Sequence, residues 1–93
     1  MIRGYRDKRT RRFAEGEFVA AFQGFEKQAA KRLSMLNAAP SLDALRALPS
    51  NRLESLSGSR EGYFSIRINR QWRICFLWVE GYGPTDVEIV DYH

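Results

Sequence analysis

Arg60, Arg67, Arg70 and Arg73 crowd into one short stretch of this 93-residue chain, and the sequence closes on Asp91-Tyr92-His93. Those side chains match the needs of RNA phosphodiester cleavage. A base must take the 2′-hydroxyl proton, cations must neutralise the phosphorane oxygens, and an acid must protonate the departing 5′-oxygen. An arginine fork matches phosphate oxygens two at a time, and an imidazole near neutral pH serves as acid or base. Arg73 is the natural charge stabiliser, and adjacent antiparallel strands can carry the chain end into its reach. Two plainer readings stand beside this one: a solvated face for the arginines, and a frayed end for the tripeptide.

Charge is segregated in a way that suits a polyanionic partner. The net +4 divides into nine basic and four acidic groups over residues 1–32, a net +3 over 60–74, and four acids with no Lys or Arg from Cys75 onward. The isoelectric point is near 9.6, and arginine outnumbers lysine twelve to three. Such a bias suits two-point phosphate contacts, and GC-rich codon use is an alternative cause of the same ratio. The length predicts a single domain over 1–93 with a thin core and no deep cofactor cavity. No apolar run approaches a membrane span, and Met1-Ile2-Arg3-Gly4-Tyr5-Arg6 lacks the apolar stretch of a signal peptide, so a cytoplasmic protein with no membrane partner is expected. Cys75, between Ile74 and Phe76, reads as core. With only His93 beside it there is no zinc set, and neither metal nor cofactor is expected.

The elements that must position these residues follow from periodicity. Met1 to Tyr5 reads as a short strand. Asp7 is placed to cap a helix through Phe13 and Ala14 that ends at Gly16. Phe18, Phe22, Phe25, Ala29, Leu33 and Leu36 recur at three or four, which predicts one amphipathic helix stopped by Pro40. Ser41 caps a shorter helix over Leu42, Leu45 and Leu48, ended by Pro49. Phe64, Ile66 and Ile68 then alternate with polar residues as a half-buried strand, and Trp72 to Val79 reads as a central strand. Asn69-Arg70-Gln71 forms the turn between them. A second turn over Gly81-Tyr82-Gly83-Pro84 leads to a last strand with Val87, Ile89 and Tyr92. The order implies an α+β domain: an N-terminal strand and helices packed on one face of a curved, mainly antiparallel sheet, with the other face free for function.

The stretch Gly58 to Phe76, with Arg60-Glu61-Gly62 and Asn69-Arg70-Gln71-Trp72-Arg73, closely resembles the HigB toxins of the RelE/ParE superfamily, as does the end Val87-Glu88-Ile89-Val90-Asp91-Tyr92-His93. The likeness extends over the whole chain, including Asn51-Arg52-Leu53-Glu54-Ser55-Leu56. It implies a RelE/ParE-like fold and the toxin of a type II toxin–antitoxin system. Such a toxin is a metal-independent endoribonuclease that enters the ribosomal 30S A site, cuts translated mRNA and so inhibits translation and growth. The implied partners are the ribosome, its mRNA and a HigA-like helix-turn-helix antitoxin. By the same resemblance Arg73, Asp91, Tyr92 and His93 are catalytic, and Arg67, Asn69 and Gln71 line an RNA-binding concave face. Some relatives carry a lysine where this chain has Ser57, which shifts the expected phosphate grip to Arg60 or Arg70.

Lys8, Arg9, Arg11, Arg12, Lys27, Lys31 and Arg32 are expected to contact ribosomal RNA, the alternative being a solvated helix face. Trp72 is expected to anchor packing rather than stack on a base. The negative charges of Asp91 and the terminal carboxylate would favour the His93 imidazolium, so His93 is expected to act as general acid with Asp91 orienting it. Two other functions fit the same composition: a ParE-like inhibitor of DNA gyrase, against which His93 argues, and a non-catalytic RNA-binding module.

Overall fold

Phe64, Ile66 and Ile68 do share one face, and the sheet shows why. In a computed structural model that describes residues 1–56 and 58–91, with the backbone alone at Ser59, four antiparallel strands run in the order β1-β2-β3-β4. They are β1 (Glu54–Ser55), β2 (Tyr63–Arg67), β3 (Trp72–Val79) and β4 (Gly83–Asp91). Ile66 sits opposite Ile74, Ile74 opposite Ile89, and Phe64 opposite Phe76. Directly paired residues point to the same side, so these side chains form apolar rows on one face. Helices α1 (Lys8–Ala14), α2 (Glu26–Ala38) and α3 (Leu42–Arg46) complete the fold. The apolar rows meet Phe22, Phe25, Ala29, Leu33, Leu36 and Leu45, all buried. Each fully buried Leu, Ile or Phe contributes roughly 1.5–3 kcal/mol. Arg73, Ile74, Cys75 and Phe76 are buried in succession, as a central strand requires.

The predicted helix from Phe18 to Leu36 is interrupted. A short 3-10 turn spans Ala20–Phe22, Gly24 takes φ 98°, and α2 begins only at Glu26. A residue with a side chain is costly in that left-handed region, so Gly24 lets the chain change direction where periodicity alone predicts continuity. As a result Phe22 is fully buried while Phe18 is 72% exposed. At the other end α2 stops at Ala38, because the residue before a proline is pushed out of the helical region and Ala39 is extended. Ser41 caps α3 as expected, its hydroxyl accepting from Ala44 N at 3.2 Å.

The N-terminal segment makes a single parallel bridge, Tyr5 to Val87, rather than a full strand. Its bonds still matter, because β4 is an edge. Arg3 N donates to Pro84 O at 2.8 Å, Val87 N to Gly4 O at 3.1 Å, and Arg6 N to Val87 O at 2.9 Å. Buried Thr10 on α1 completes the cover by accepting from Ile89 N at 3.0 Å. An edge strand left with free N–H groups invites pairing with another chain, and these contacts remove the opportunity. Strand β1 was not expected from periodicity: two exposed residues carry no pattern. The last strand begins at Gly83, inside the predicted turn. Among the described residues no helix is long and apolar enough to cross a membrane.

Candidate functional site

The β2–β3 turn is built by Asn69. Its Oδ1 accepts from the backbone N–H of Gln71 and of Trp72, both at 2.8 Å, and its backbone carbonyl accepts from Arg67 Nε at 3.1 Å. Asn69 therefore shapes the turn and aims Arg67, while Arg70 stands exposed at the tip. Below the turn, Trp72 lies 5.7 Å from Phe22 and 4.9 Å from Phe25, centroid to centroid. Edge and offset ring contacts of this kind fix the root of the hairpin against the helices, so Trp72 is the packing anchor expected.

An open groove of about 570 Å³ lies where α2, the 3-10 turn Pro49–Asn51 and the hairpin meet. Arg32, Ser50, Arg52, Arg67, Asn69 and Arg70 line it together with Pro49 and Ile68. Among the described residues no carboxylate lies on its walls. The ion pairs among the described residues engage Arg6, Arg9, Arg46, Arg60 and Arg73, and none of the four groove arginines. Uncompensated guanidinium groups around one concavity make a binding site for an extended anion. Arg32, expected among the ribosome contacts, belongs here: Nη1 donates to Asn51 Oδ1 at 2.6 Å, and fully buried Asn51 donates in turn to Leu45 O at 3.1 Å.

Arg73 lies on the sheet face that the helices leave uncovered, opposite Arg67 on one side and Val90 on the other. It is nonetheless only 8% exposed. Nε donates to Ser65 Oγ at 2.8 Å, and Nη2 donates to Arg52 O at 2.5 Å and to Ser65 O at 3.2 Å, with Glu54 Oε1 at 3.7 Å. Among the described residues Nη1 has no hydrogen-bond partner. Asp91 pairs with Trp72 instead, which puts it on the opposite face, where its Oδ2 accepts from Gln71 Nε2 at 2.9 Å. The fold thus brings Asp91 to the hairpin through Gln71 and does not bring it to the Arg73 side. Tyr92, His93 and Ser57 lie outside the described residues.

Arg60 stands apart from the groove. Its guanidinium lies 5.1 Å from the Tyr63 ring centroid and 3.9 Å from Glu88 Oε1, which Arg6 approaches equally. Tyr63 donates its hydroxyl to Asp86 Oδ2 at 2.5 Å. That hydrogen bond, helped by burial, raises the phenol above its ordinary range. Burial likewise pushes the Cys75 thiol up, which keeps it protonated and unreactive as expected of a core cysteine. Among the described residues no cluster of His, Cys, Asp and Glu could hold a metal ion.

The basic residues of the helices differ in their settings. Arg9 pairs with Asp7 at 3.3 Å and sits over the rings of Phe22 and Trp72. Lys8, Arg11, Arg12, Lys27 and Lys31 face solvent. Sequence reasoning gave no role to Arg52, which lines the groove, or to Asn51, Ser65 and Thr10, which accept hydrogen bonds that fix their neighbours. Strand alternation already placed Ser65 beside Arg67, and Asn51 and Arg52 were visible only within the likeness over residues 51–56.

The comparisons agree with this architecture. The model of the HigB-like toxins, described as RelE-like toxins of type II toxin-antitoxin system HigB, matches residues 3–93. The chain belongs to this family. Toxin HigB-1 of Vibrio cholerae is 45% identical over 51 residues, which cover 55% of this chain and 54% of the relative. An uncharacterized protein of Haemophilus influenzae is 36% identical over 52 residues, 56% of this chain and 52% of its own. In these alignments the chain spans about half the length of the curated relatives it matches.

Proposed function

We propose that this chain is the toxin of a type II toxin–antitoxin system and cuts mRNA during translation in the ribosomal A site. A helix-turn-helix antitoxin holds it in check. The observation that carries the reading is the groove, where Arg32, Arg52, Arg67 and Arg70 face one opening with no acid partner among the described residues. In the proposed reaction the 2′-oxygen attacks phosphorus and gives up its proton, the P–O5′ bond breaks, and the 5′-oxygen receives a proton. The groove arginines hold the phosphates on either side, Arg73 adds positive charge from beneath, Tyr92 and His93 supply the proton transfers, and Asp91, held at the hairpin by Gln71, orients His93. Lys8, Arg11, Arg12, Lys27 and Lys31 supply a salt-sensitive approach to ribosomal RNA.

Brief induction followed by primer extension on a reporter transcript tests this reading. New 5′ ends inside the translated frame, lost when the start codon is removed, are expected. Intact mRNA with blocked DNA supercoiling would point to gyrase inhibition, and intact mRNA with unperturbed supercoiling would point to a binding module.

A further inference from the structure

Arg52 occupies a backbone conformation that an L-residue with a long side chain rarely adopts. Its φ is 44° and ψ 55°, the left-handed region that glycine and asparagine tolerate best. Two bonds fix it there: Arg52 N donates to Pro49 O at 3.1 Å, and Arg52 O accepts from Arg73 Nη2 at 2.5 Å. If the position served only to turn the chain between the Pro49–Asn51 turn and β1, glycine would do so at lower cost. Strain that the surrounding bonds over-determine is a sign of use. The Arg52 side chain is exposed, lines the groove, and has no hydrogen bond or ion pair to any described residue.

From this we infer that Arg52 is a phosphate-binding residue for single-stranded RNA, and that Arg73 is the positioning residue that holds it. The buried guanidinium of Arg73 grips the Arg52 carbonyl and the Ser65 hydroxyl together, tying the left-handed residue to the sheet. Arg32, fixed by buried Asn51, faces the same groove, so Arg52 and Arg32 present charge from one wall while Arg67 and Arg70 present it from the hairpin. An RNA backbone threaded between them meets cations on both sides. The inference rests on reading the groove as an RNA site and adds a contact that the hairpin motif does not contain.

The test is fluorescence anisotropy with a labelled single-stranded RNA oligonucleotide, titrated at several salt concentrations, for wild type, Arg52→Gly, Arg52→Asn and Arg52→Lys. Losing one phosphate contact should reduce the slope of log K against log salt by about 0.7. Arg52→Gly and Arg52→Asn should both show that reduction with an unchanged or higher Tm, and Arg52→Lys should recover most of it. A wild-type slope in either uncharged variant, or no RNA binding by the wild type, overturns the assignment. The same proteins are added to translating ribosomes. Wild type that binds RNA with the larger slope but leaves translated mRNA intact removes the cleavage reading and leaves Arg52 in place. Cleavage by wild type and by Arg52→Gly alike, with equal slopes, removes Arg52 alone.

Discussion

Replacing Arg73 by alanine should unfold the protein at a distinctly lower temperature, whatever it does to activity. Among the described residues the side chain makes three hydrogen bonds, to Ser65 Oγ and Ser65 O in a buried setting and to Arg52 O in a partly buried one. Hydrogen bonds to a charged group are worth roughly 1.5–3 kcal/mol each, but returning the guanidinium's share of burial to water offsets part of that sum. What remains is dominated by acceptors left buried without donors, at about 1–3 kcal/mol per group, so a net loss of about 2–4 kcal/mol is expected. In a domain of this size each kcal/mol moves Tm by about 4–8 °C. Arg73→Ala should therefore melt roughly 8–32 °C below wild type. Arg73→Lys should also melt early, because a single ammonium cannot replace the fork that spans Ser65 and Arg52. Circular dichroism melts with matched urea titrations read both variants. An Arg73→Ala protein that melts within about 2 °C of wild type while losing cleavage would refute the clamp and make Arg73 a residue of the reaction only.

Phe18 and Phe22, one stripe by spacing, should separate: Phe22→Ala should cost about 3–5 kcal/mol in urea unfolding, and Phe18→Ser within about 0.5 kcal/mol of nothing. Thr10→Val should speed hydrogen exchange at the Ile89 amide and cost about 1–3 kcal/mol, since the edge N–H then loses its acceptor inside the protein. Cys75 should resist alkylation at neutral pH until the protein unfolds. Because its folded pKa lies above the ordinary 9.0, the stability it contributes is complete below about pH 9 and declines above it. Urea midpoints across the alkaline range should show that decline, and Cys75→Ala should lessen it.

Where local rules and tertiary packing agreed, the sequence was enough to read the fold. Alternation placed Phe64, Ile66 and Ile68 on the covered face, and Ser41 capped its helix through the hydroxyl that its type predicts. Periodicity failed at Gly24, because a stripe of phenylalanines says nothing about a positive φ in the middle of it. Of the site, the hairpin arginines and the turn-forming Asn69 were visible as a motif. Arg52 was visible only inside the likeness over residues 51–56, because the role proposed for it comes from a left-handed backbone and a bond to Arg73, residues 21 positions apart in the chain. Arg60 illustrates the reverse case: next to the motif in sequence, it spends its charge on Glu88 and Tyr63 away from the groove. Strand parity adds what the motif could not show: pairing Arg73 with Val90 sends Asp91 to the other side of the sheet.

The most direct test of the central claim is single-turnover cleavage on ribosomes programmed with a defined mRNA, comparing wild type with an Arg67→Gln/Arg70→Gln double variant. The wild type should cut the ribosome-bound message and leave the same RNA intact when free. The double variant should lose at least tenfold in rate while its Tm stays near that of wild type, because neither side chain is buried or ion-paired among the described residues. Equal cutting by the two proteins, or equal cutting of free and ribosome-bound RNA, would contradict the account.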